Sequence, residues 1–316
     1  MNRISRKDFV RIASMAAISV PVLGLSNCAP GKKEESNTQT DAGLFSTHPG
    51  LQLYTVRDAF AKDPSGTFKR LASIGFKEIE LHDPSALVHT KEIRDLGMNV
   101  ISTHFLPGYV TGLWNDAGKY GIPVPKDNLE QIAESCAKND VHYMGISILW
   151  PEERPDLDGY KRFADLANKA GEKAKAAGVQ LYYHNHSFEF EPTQGTTPYE
   201  EMLKIFEPEL VKLELDVFWT TVSGNDAATW IEKLKGRVKM LHLKDLKAET
   251  PKDYTTFQVD HGAFQAMGDG VVDFRKVLAA AKAADVPYGF VEQDHSAIDP
   301  FESITRSIQY LKSLGL

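Results

Sequence analysis

From residue 50 onward, short apolar runs alternate with longer amphipathic stretches. The apolar runs are G-L-Q-L-Y-T-V (50–56), K-E-I-E-L-H (77–82), M-N-V-I-S-T-H (98–104), V-H-Y-M-G-I-S-I (141–148), V-Q-L-Y-Y-H-N (179–185), V-K-L-E-L-D-V (211–217), V-K-M-L-H-L-K-D (238–245) and P-Y-G-F-V-E-Q (287–293). Runs this short predict buried strands. Between them, stretches such as L-E-Q-I-A-E-S-C-A-K, F-R-K-V-L-A-A-A-K-A-A-D and F-E-S-I-T-R-S-I-Q-Y-L-K-S-L-G carry apolar residues at helical spacing. Several end at Gly or Asp, where a helix C-cap belongs. Eight strand–helix units over roughly 270 residues predict an α/β fold, a (β/α)8 TIM barrel in a single domain. An open doubly wound sheet fits less well, because no glycine-rich phosphate turn follows the first strand. The loops at 105–125 and 246–268 are long, and long loops after barrel strands cover the active end.

The N-terminus breaks this pattern. S-R-K-D-F-V-R at 5–11 is followed by an apolar run and then S-N-C, ending at Cys28. A basic segment, a short apolar segment and small residues predict an export signal over 1–28, too short to span a membrane. The Arg6-Lys7 pair is similar to a twin-arginine signal with one Arg replaced, and L-S-N-C resembles a bacterial lipobox. A lipid anchor at Cys28 is therefore expected, with the protein exported to the periplasm or held at a bacterial membrane. Residues 29–47 are rich in Lys, Glu, Ser, Thr, Asn and Gln and predict a flexible tether. The barrel is expected over 48–316.

Composition narrows the function. A net charge of −7 gives no basic footprint for nucleic acid. The chain has 2 cysteines, which excludes a disulfide scaffold and a cysteine-rich zinc site. Cys136 falls on a predicted helix and is expected to be a buried small hydrophobe.

The chemistry is expected where strands end. Residues of one parity face the barrel interior. That parity offers Glu80 and His82 on strand two, Ser102 and His104 on strand three, and His184 on strand five. It offers Glu214 and Asp216 on strand six, His242 and Lys244 on strand seven, and Glu292 on strand eight. Leu213, Leu215, Leu241 and Leu243 take the opposite parity and should face the helices. Four consecutive strands thus end in a potential ligand: His184, Asp216, His242 and Glu292. Mixed imidazole and carboxylate ligands suit one divalent ion of Mn, Zn, Co or Fe better than Mg or Ca. His186 and Glu189, in the same Y-H-N-H-S-F-E-F stretch, are expected to support the ligands or touch substrate. Trp114, Trp150, Phe218 and Trp219 lie in loops or just past strands and are candidates for stacking on a bound ligand.

At these residues the chain resembles the xylose-isomerase-like sugar isomerase/epimerase family, kin to ketose 3-epimerases and endonuclease IV. The resemblance spans about 49–316. It rests on G-L-Q-L-Y-T-V-R-D, S-T-H, Y-H-N-H-S-F-E-F, L-E-L-D-V-F-W, L-H-L-K-D, G-D-G-V-V-D-F and F-V-E-Q-D. It implies one metal held by Glu, Asp, His and Glu on strands five to eight. Asp216, His242 and Glu292 match, whereas His184 stands where relatives carry the first Glu. Ketose epimerases use both glutamates as facing proton-transfer groups, so this chain departs from their two-base arrangement. The DNA-cleaving branch is set aside, because the chain is acidic.

The resemblance implies a metal-dependent sugar isomerase or epimerase working through an enediolate next to a carbonyl. Glu292 is expected to be ligand and general base, His186 or His104 the second acid/base group, and Lys244 a contact to substrate oxygens. The same enediolate serves a 3-keto-glycoside lyase or hydrolase. A sugar-binding lipoprotein without catalysis is a third reading. The partner common to these is a small-molecule sugar or glycoside; assembly into oligomers is left open.

Overall fold

Eight parallel strands pair with their neighbours and close on themselves in a computed structural model that describes residues 44–256 and 259–315. The expected signal, most of the tether and Cys28 lie outside the described residues. The barrel strands are β1 (Gly50–Gln52), β2 (Glu78–Leu81), β3 (Asn99–Phe105), β4 (Tyr143–Ile146), β5 (Gln180–His184), β6 (Val211–Asp216), β7 (Val238–Leu243) and β10 (Tyr288–Val291). A two-stranded ribbon, β8 (Asp245–Leu246) with β9 (Phe264–Gln265), rises from the end of β7. This is the single-domain (β/α)8 barrel expected from the sequence.

Helices form where polar caps start amphipathic runs. Asn128 and Gln131 make a reciprocal capping box at Leu129–Lys138. Asp156 caps Leu157–Ala176 by accepting from the Gly159 N–H at 2.7 Å. The apolar faces of these helices meet the outward strand residues, Leu213, Leu215, Leu241 and Leu243 among them, in one large core. Cys136 is in that core, and burial pushes its thiol up to about 12.

Inside the barrel the inward residues stack in tiers. Tyr182, Met240 and Phe290 plug the lower part. Gly145 makes room for Tyr182, since a Cβ there would sit 2.1 Å from the phenol ring. Above the plug lie Glu80, His104, Glu214 and His242, and above them His184, Asp216 and Glu292. Parallel pairing shifts register at Ile79/Glu80 and at Leu213/Glu214, so a bulge turns each inner glutamate.

Two boundaries differ from the sequence expectation. The strand expected over 50–56 stops at Gln52, because the Gln52 side chain accepts from the Tyr54 N–H at 2.9 Å and bends the chain into a 3-10 turn, Leu53–Val56. Residues Leu44–Thr47, placed in the tether by composition, form a helical turn whose Phe45 is buried. The side-chain-free surface of Gly289 receives that ring.

The long excursion after β7 is gathered at its base by one carboxylate. Asp245 accepts from the backbone N–H groups of Leu246 at 2.8 Å, Gly268 at 2.8 Å, Gly270 at 2.9 Å and Val272 at 3.1 Å. Gly270 has to be glycine: a Cβ there would lie 2.3 Å from the Asp245 carboxylate.

Candidate metal and proton-transfer site

The four expected ligands converge. One donor atom from each of His184, Asp216, His242 and Glu292 lies within 4.8 Å of all the others, and all four residues are buried. His184 Nε2 is 3.2 Å from Asp216 Oδ2. His242 Nδ1 is 3.5 Å from Asp216 Oδ2 and 2.7 Å from Glu292 Oε2. The two spacings to Asp216 Oδ2 match the roughly 3–3.6 Å that bonds of about 2.0–2.2 Å to one ion require, and the His242–Glu292 pair is closer.

Each ligand is aimed by a second contact. His184 Nδ1 lies 2.9 Å from the Ser147 carbonyl, an acceptor only, so Nδ1 carries the proton and Nε2 is bare. Asp216 Oδ1 accepts from the Trp219 N–H at 2.9 Å and caps the helix Val217–Val222, leaving Oδ2 for the site. The Asp216 N–H donates to Asn185 Oδ1 at 3.1 Å, which explains the Asn of H-N-H. His242 Nε2 donates to Glu80 Oε1 at 2.7 Å, which turns Nδ1 toward Asp216 and Glu292.

A second cluster of Glu80, His104, Glu214 and His242 lies just below, sharing His242. Hydrogen bonding separates the two. Glu80 accepts four bonds: from Gln52 Nε2 at 2.7 Å and His242 Nε2 at 2.7 Å on Oε1, and from Ser102 Oγ at 2.5 Å and Tyr182 Oη at 2.7 Å on Oε2. Its lone pairs are filled. In the upper cluster His184 Nε2, His242 Nδ1, Asp216 Oδ2 and Glu292 Oε2 all face one another, whereas in the lower cluster only Glu214 Oε1 is left without a hydrogen-bond partner. A bare imidazole nitrogen, a second imidazole and two carboxylate oxygens converging on one point are a donor set for a cation, and the upper quartet is where the residues suit a divalent ion.

Lys244 sits against the same oxygens. Its Nζ is 3.0 Å from Asp216 Oδ2, 2.7 Å from Glu292 Oε2 and 3.1 Å from Asp294 Oδ1. Burial works against its charge, but Asp216, Asp294 and Glu292 outweigh that and hold the ammonium well above the usual lysine range. The salt bridge is thus to Glu292, Asp216 and Asp294; Asp245 is occupied by backbone N–H groups. Asp294 was not singled out from the sequence. It lies two positions beyond Glu292, the parity that marks inward residues. Burial raises its carboxyl, with Lys244 pulling the other way.

One expectation needs correction. His104, expected as an acid/base group, lies in the lower tier with both nitrogens engaged. Nε2 meets Glu214 Oε2 at 2.8 Å, and Nδ1 meets Gln52 Nε2 at 3.2 Å. It has no free nitrogen for substrate. Glu189 is fully buried, accepts from the Tyr183 hydroxyl and takes the His186 N–H at 2.9 Å. It pins the turn after β5 through the His186 N–H. His186 is at the site, with its ring 4.9 Å from that of His184 and 5.1 Å from that of Trp219. Burial, then the charges of His184 and Lys244, hold it well below the usual histidine range, so it is a neutral imidazole.

Of the aromatics, Phe218 stacks on Phe264 at 4.3 Å, and Trp219 packs beside both in a buried cap with Val222, Leu246, Val259 and Ala263. Trp150 stacks on Tyr120 at 5.0 Å. Trp114 lines an open cleft beside the site.

The chain matches the family described as xylose isomerase-like TIM barrel over residues 68–314, and it belongs to that family. Among characterised relatives, the inosose dehydratase of Clostridium perfringens is 30% identical over 264 residues, 77% of this chain and 86% of that protein. The inosose dehydratase of Lacticaseibacillus casei is 28% identical over 163 residues, 49% of this chain and 54% of that protein, so this match spans about half the relative's length. A sugar phosphate isomerase/epimerase from Parabacteroides distasonis has a similar structure, with TM-score 0.67, 23% identity, and 84% and 96% of the two chains covered. The IOLI protein, solved with a bound zinc atom, aligns with TM-score 0.59 and 13% identity over 84% of this chain and 96% of its own.

Proposed function

We propose that the protein is a metal-dependent enzyme that removes a proton from the carbon next to a carbonyl of a sugar or cyclic polyol and then expels the substituent one carbon further on. The observation that carries this reading is the asymmetry of bases around the quartet. Glu292 is the one carboxylate of the quartet that is not also a helix cap, and its Oε2 faces the site 2.7 Å from His242 Nδ1 and from Lys244 Nζ, which makes it the base available for proton transfer. Across from it stands His184, whose Nδ1 is spent on Ser147 and whose Nε2 faces the ligand cluster. A facing pair of bases, which epimerisation through both faces of a carbon requires, is missing. One base is enough for elimination. The relatives that dehydrate inosose support this direction.

His184, Asp216, His242 and Glu292 would hold the ion, which supplies Lewis acidity to the carbonyl oxygen. Lys244, fixed between three carboxylates, places a permanent positive charge where negative charge develops on substrate oxygen. His186 stays neutral and offers a hydrogen bond from a ring stacked on Phe188. The Phe218–Trp219–Phe264 cap keeps water from the β6–β10 side. A compartment outside the cytoplasm is proposed on the basis of residues 5–28.

Isomerisation is the second reading. It uses the same base to return the proton on the same face, and the fold likeness to isomerases favours it. The test is turnover in D2O of an inosose and of a 3-keto-glucoside, followed by NMR. Release of water or of the aglycone with an unsaturated product supports elimination. Deuterium at the carbon next to the carbonyl, with every bond to oxygen intact, supports isomerisation. No exchange by metal-loaded protein on either substrate ends both readings.

A further inference from the structure

Beside the quartet, on the same end of the barrel, lies a cleft of about 350 Å3. Its floor is His82, Phe105 and Ser147, at the ends of β2, β3 and β4, and its walls come from the segments at 83–87 and 106–127 and from Gln131, Ile132 and Ser135 of the helix Leu129–Lys138. Ser147 ties the cleft to the site, because its carbonyl is the group that orients His184. The quartet itself is closed on the far side by the aromatic cap, so the cleft is the open side of the mouth.

The lining has a definite chemistry. Tyr109 and Trp114 meet edge to face at 5.1 Å and present apolar ring surface. Asp83 and Asp127 bring carboxylates that accept hydrogen bonds from hydroxyls. No lysine or arginine is among the lining residues, so nothing there would compensate a phosphate or a carboxylate. The volume is at the small end of the roughly 300–1,000 Å3 of small-molecule sites, enough for a ring and not for a chain. Burial, reinforced by Asp83 and Asp127, raises the Tyr109 phenol, which remains a neutral donor.

The geometry points to a second subsite: the cleft binds an uncharged, hydroxyl-bearing ring joined to the sugar that reaches the quartet, so the substrate is a two-ring glycoside and not a free or phosphorylated monosaccharide. This rests on the proposed chemistry at the quartet and names its leaving group, the second ring. The proton leaves carbon to Glu292, and the electron pair of that C–H bond becomes the new double bond. The glycosidic C–O bond breaks with its electrons on oxygen, which leaves as the hydroxyl of the second sugar after taking a proton from water.

Binding tests it without turnover. Affinities of the metal-loaded full chain are measured for methyl β-glucoside, cellobiose, phenyl β-glucoside and glucose 6-phosphate. They are compared in wild type, Ser135→Trp, which fills the cleft from its helix wall, and Trp114→Ala, which removes the apolar shelf. Cellobiose is expected to bind at least about tenfold tighter than methyl β-glucoside, and that ratio is expected to fall toward one in either variant. Equal affinity for the one-ring and two-ring glycosides in wild type overturns the subsite, as does a gain that survives both variants. A gain for phenyl β-glucoside alone also overturns it, since the carboxylates would then be idle, and so does tightest binding of glucose 6-phosphate. Because these glycosides lack a keto group and are not consumed, the result stands apart from the D2O experiment. A cleft that discriminates with no turnover refutes the chemistry only, and turnover with no discrimination refutes the subsite only.

Discussion

The two halves of the barrel mouth are built on opposite plans. On the β5–β10 side every inward strand end carries a charged or imidazole group, each fixed by a further contact and roofed by Phe218, Trp219 and Phe264. On the β2–β4 side the strand ends are His82, Phe105 and Ser147, the walls are loops and one helix face, and the space is open. The first half is rigid because buried charge tolerates no slack: an unpaired carboxylate there costs several kcal/mol. The second half can vary because apolar and hydroxyl contacts are individually weak and survive rearrangement. On the proposed reading, chemistry is placed in one half and choice of substrate in the other.

This division can be broken by experiment. The largest effect is expected from His184→Ala or Asp216→Ala. Bound metal, read by elemental mass spectrometry, should fall from about one equivalent to none, and turnover should drop about 1,000-fold, some 4 kcal/mol of barrier. Trp114→Ala should keep its metal; loss of metal there as well would mean the halves are not separate. Lys244→Met should lower turnover about 100- to 1,000-fold while the metal stays bound, because the ammonium lies against Asp216 Oδ2 and Glu292 Oε2 but is not one of the residues that would hold the ion. Loss of metal in that variant would make Lys244 structural.

A smaller effect tests the lower tier. Glu80→Gln keeps the shape but turns a filled acceptor into a group with its own N–H donors facing His242. Metal affinity should weaken about 10- to 100-fold with folding retained. Unchanged affinity would show that Glu80 does not orient His242. The smallest effect concerns Glu78, inward on β2 at the bottom of the barrel. Burial raises its carboxyl from 4.5 to about 7. The folded state thus prefers it protonated: its contribution is whole below about pH 4.5 and is lost as pH rises to about 7. Glu78→Gln should leave stability unchanged at pH 4 and raise it by about 1 kcal/mol at pH 8, read by denaturant titration. Equal gains at both pH values would exclude ionisation as the cause.

Much of the first half was legible in the sequence, because period-two parity and position at a strand end are local properties. His184, Asp216, His242 and Glu292 each occupy the last or nearly last inward place of their run. The tier below was only half legible. Glu80 and Glu214 were visible as inward polar residues, but filled lone pairs on Glu80 depend on Gln52, Ser102 and Tyr182, which come from three other strands. His104 misled for the same reason: its partners lie 52 and 110 residues away. The cleft was illegible, since most of its walls are loops that the closed barrel brings against one helix face, and no local periodicity encodes that meeting.

Asp245 makes the excursion after β7 a cassette. With Leu246, Gly268, Gly270 and Val272 all tied to one carboxylate, the stem is fastened whatever lies between 247 and 267. Lengthening a loop on a fastened stem is cheap, about 0.6 kcal/mol for each doubling. Roofs of other lengths and sequences can be spliced onto the same stem without refolding the barrel, and the catalytic half can acquire a different cover in a single genetic event.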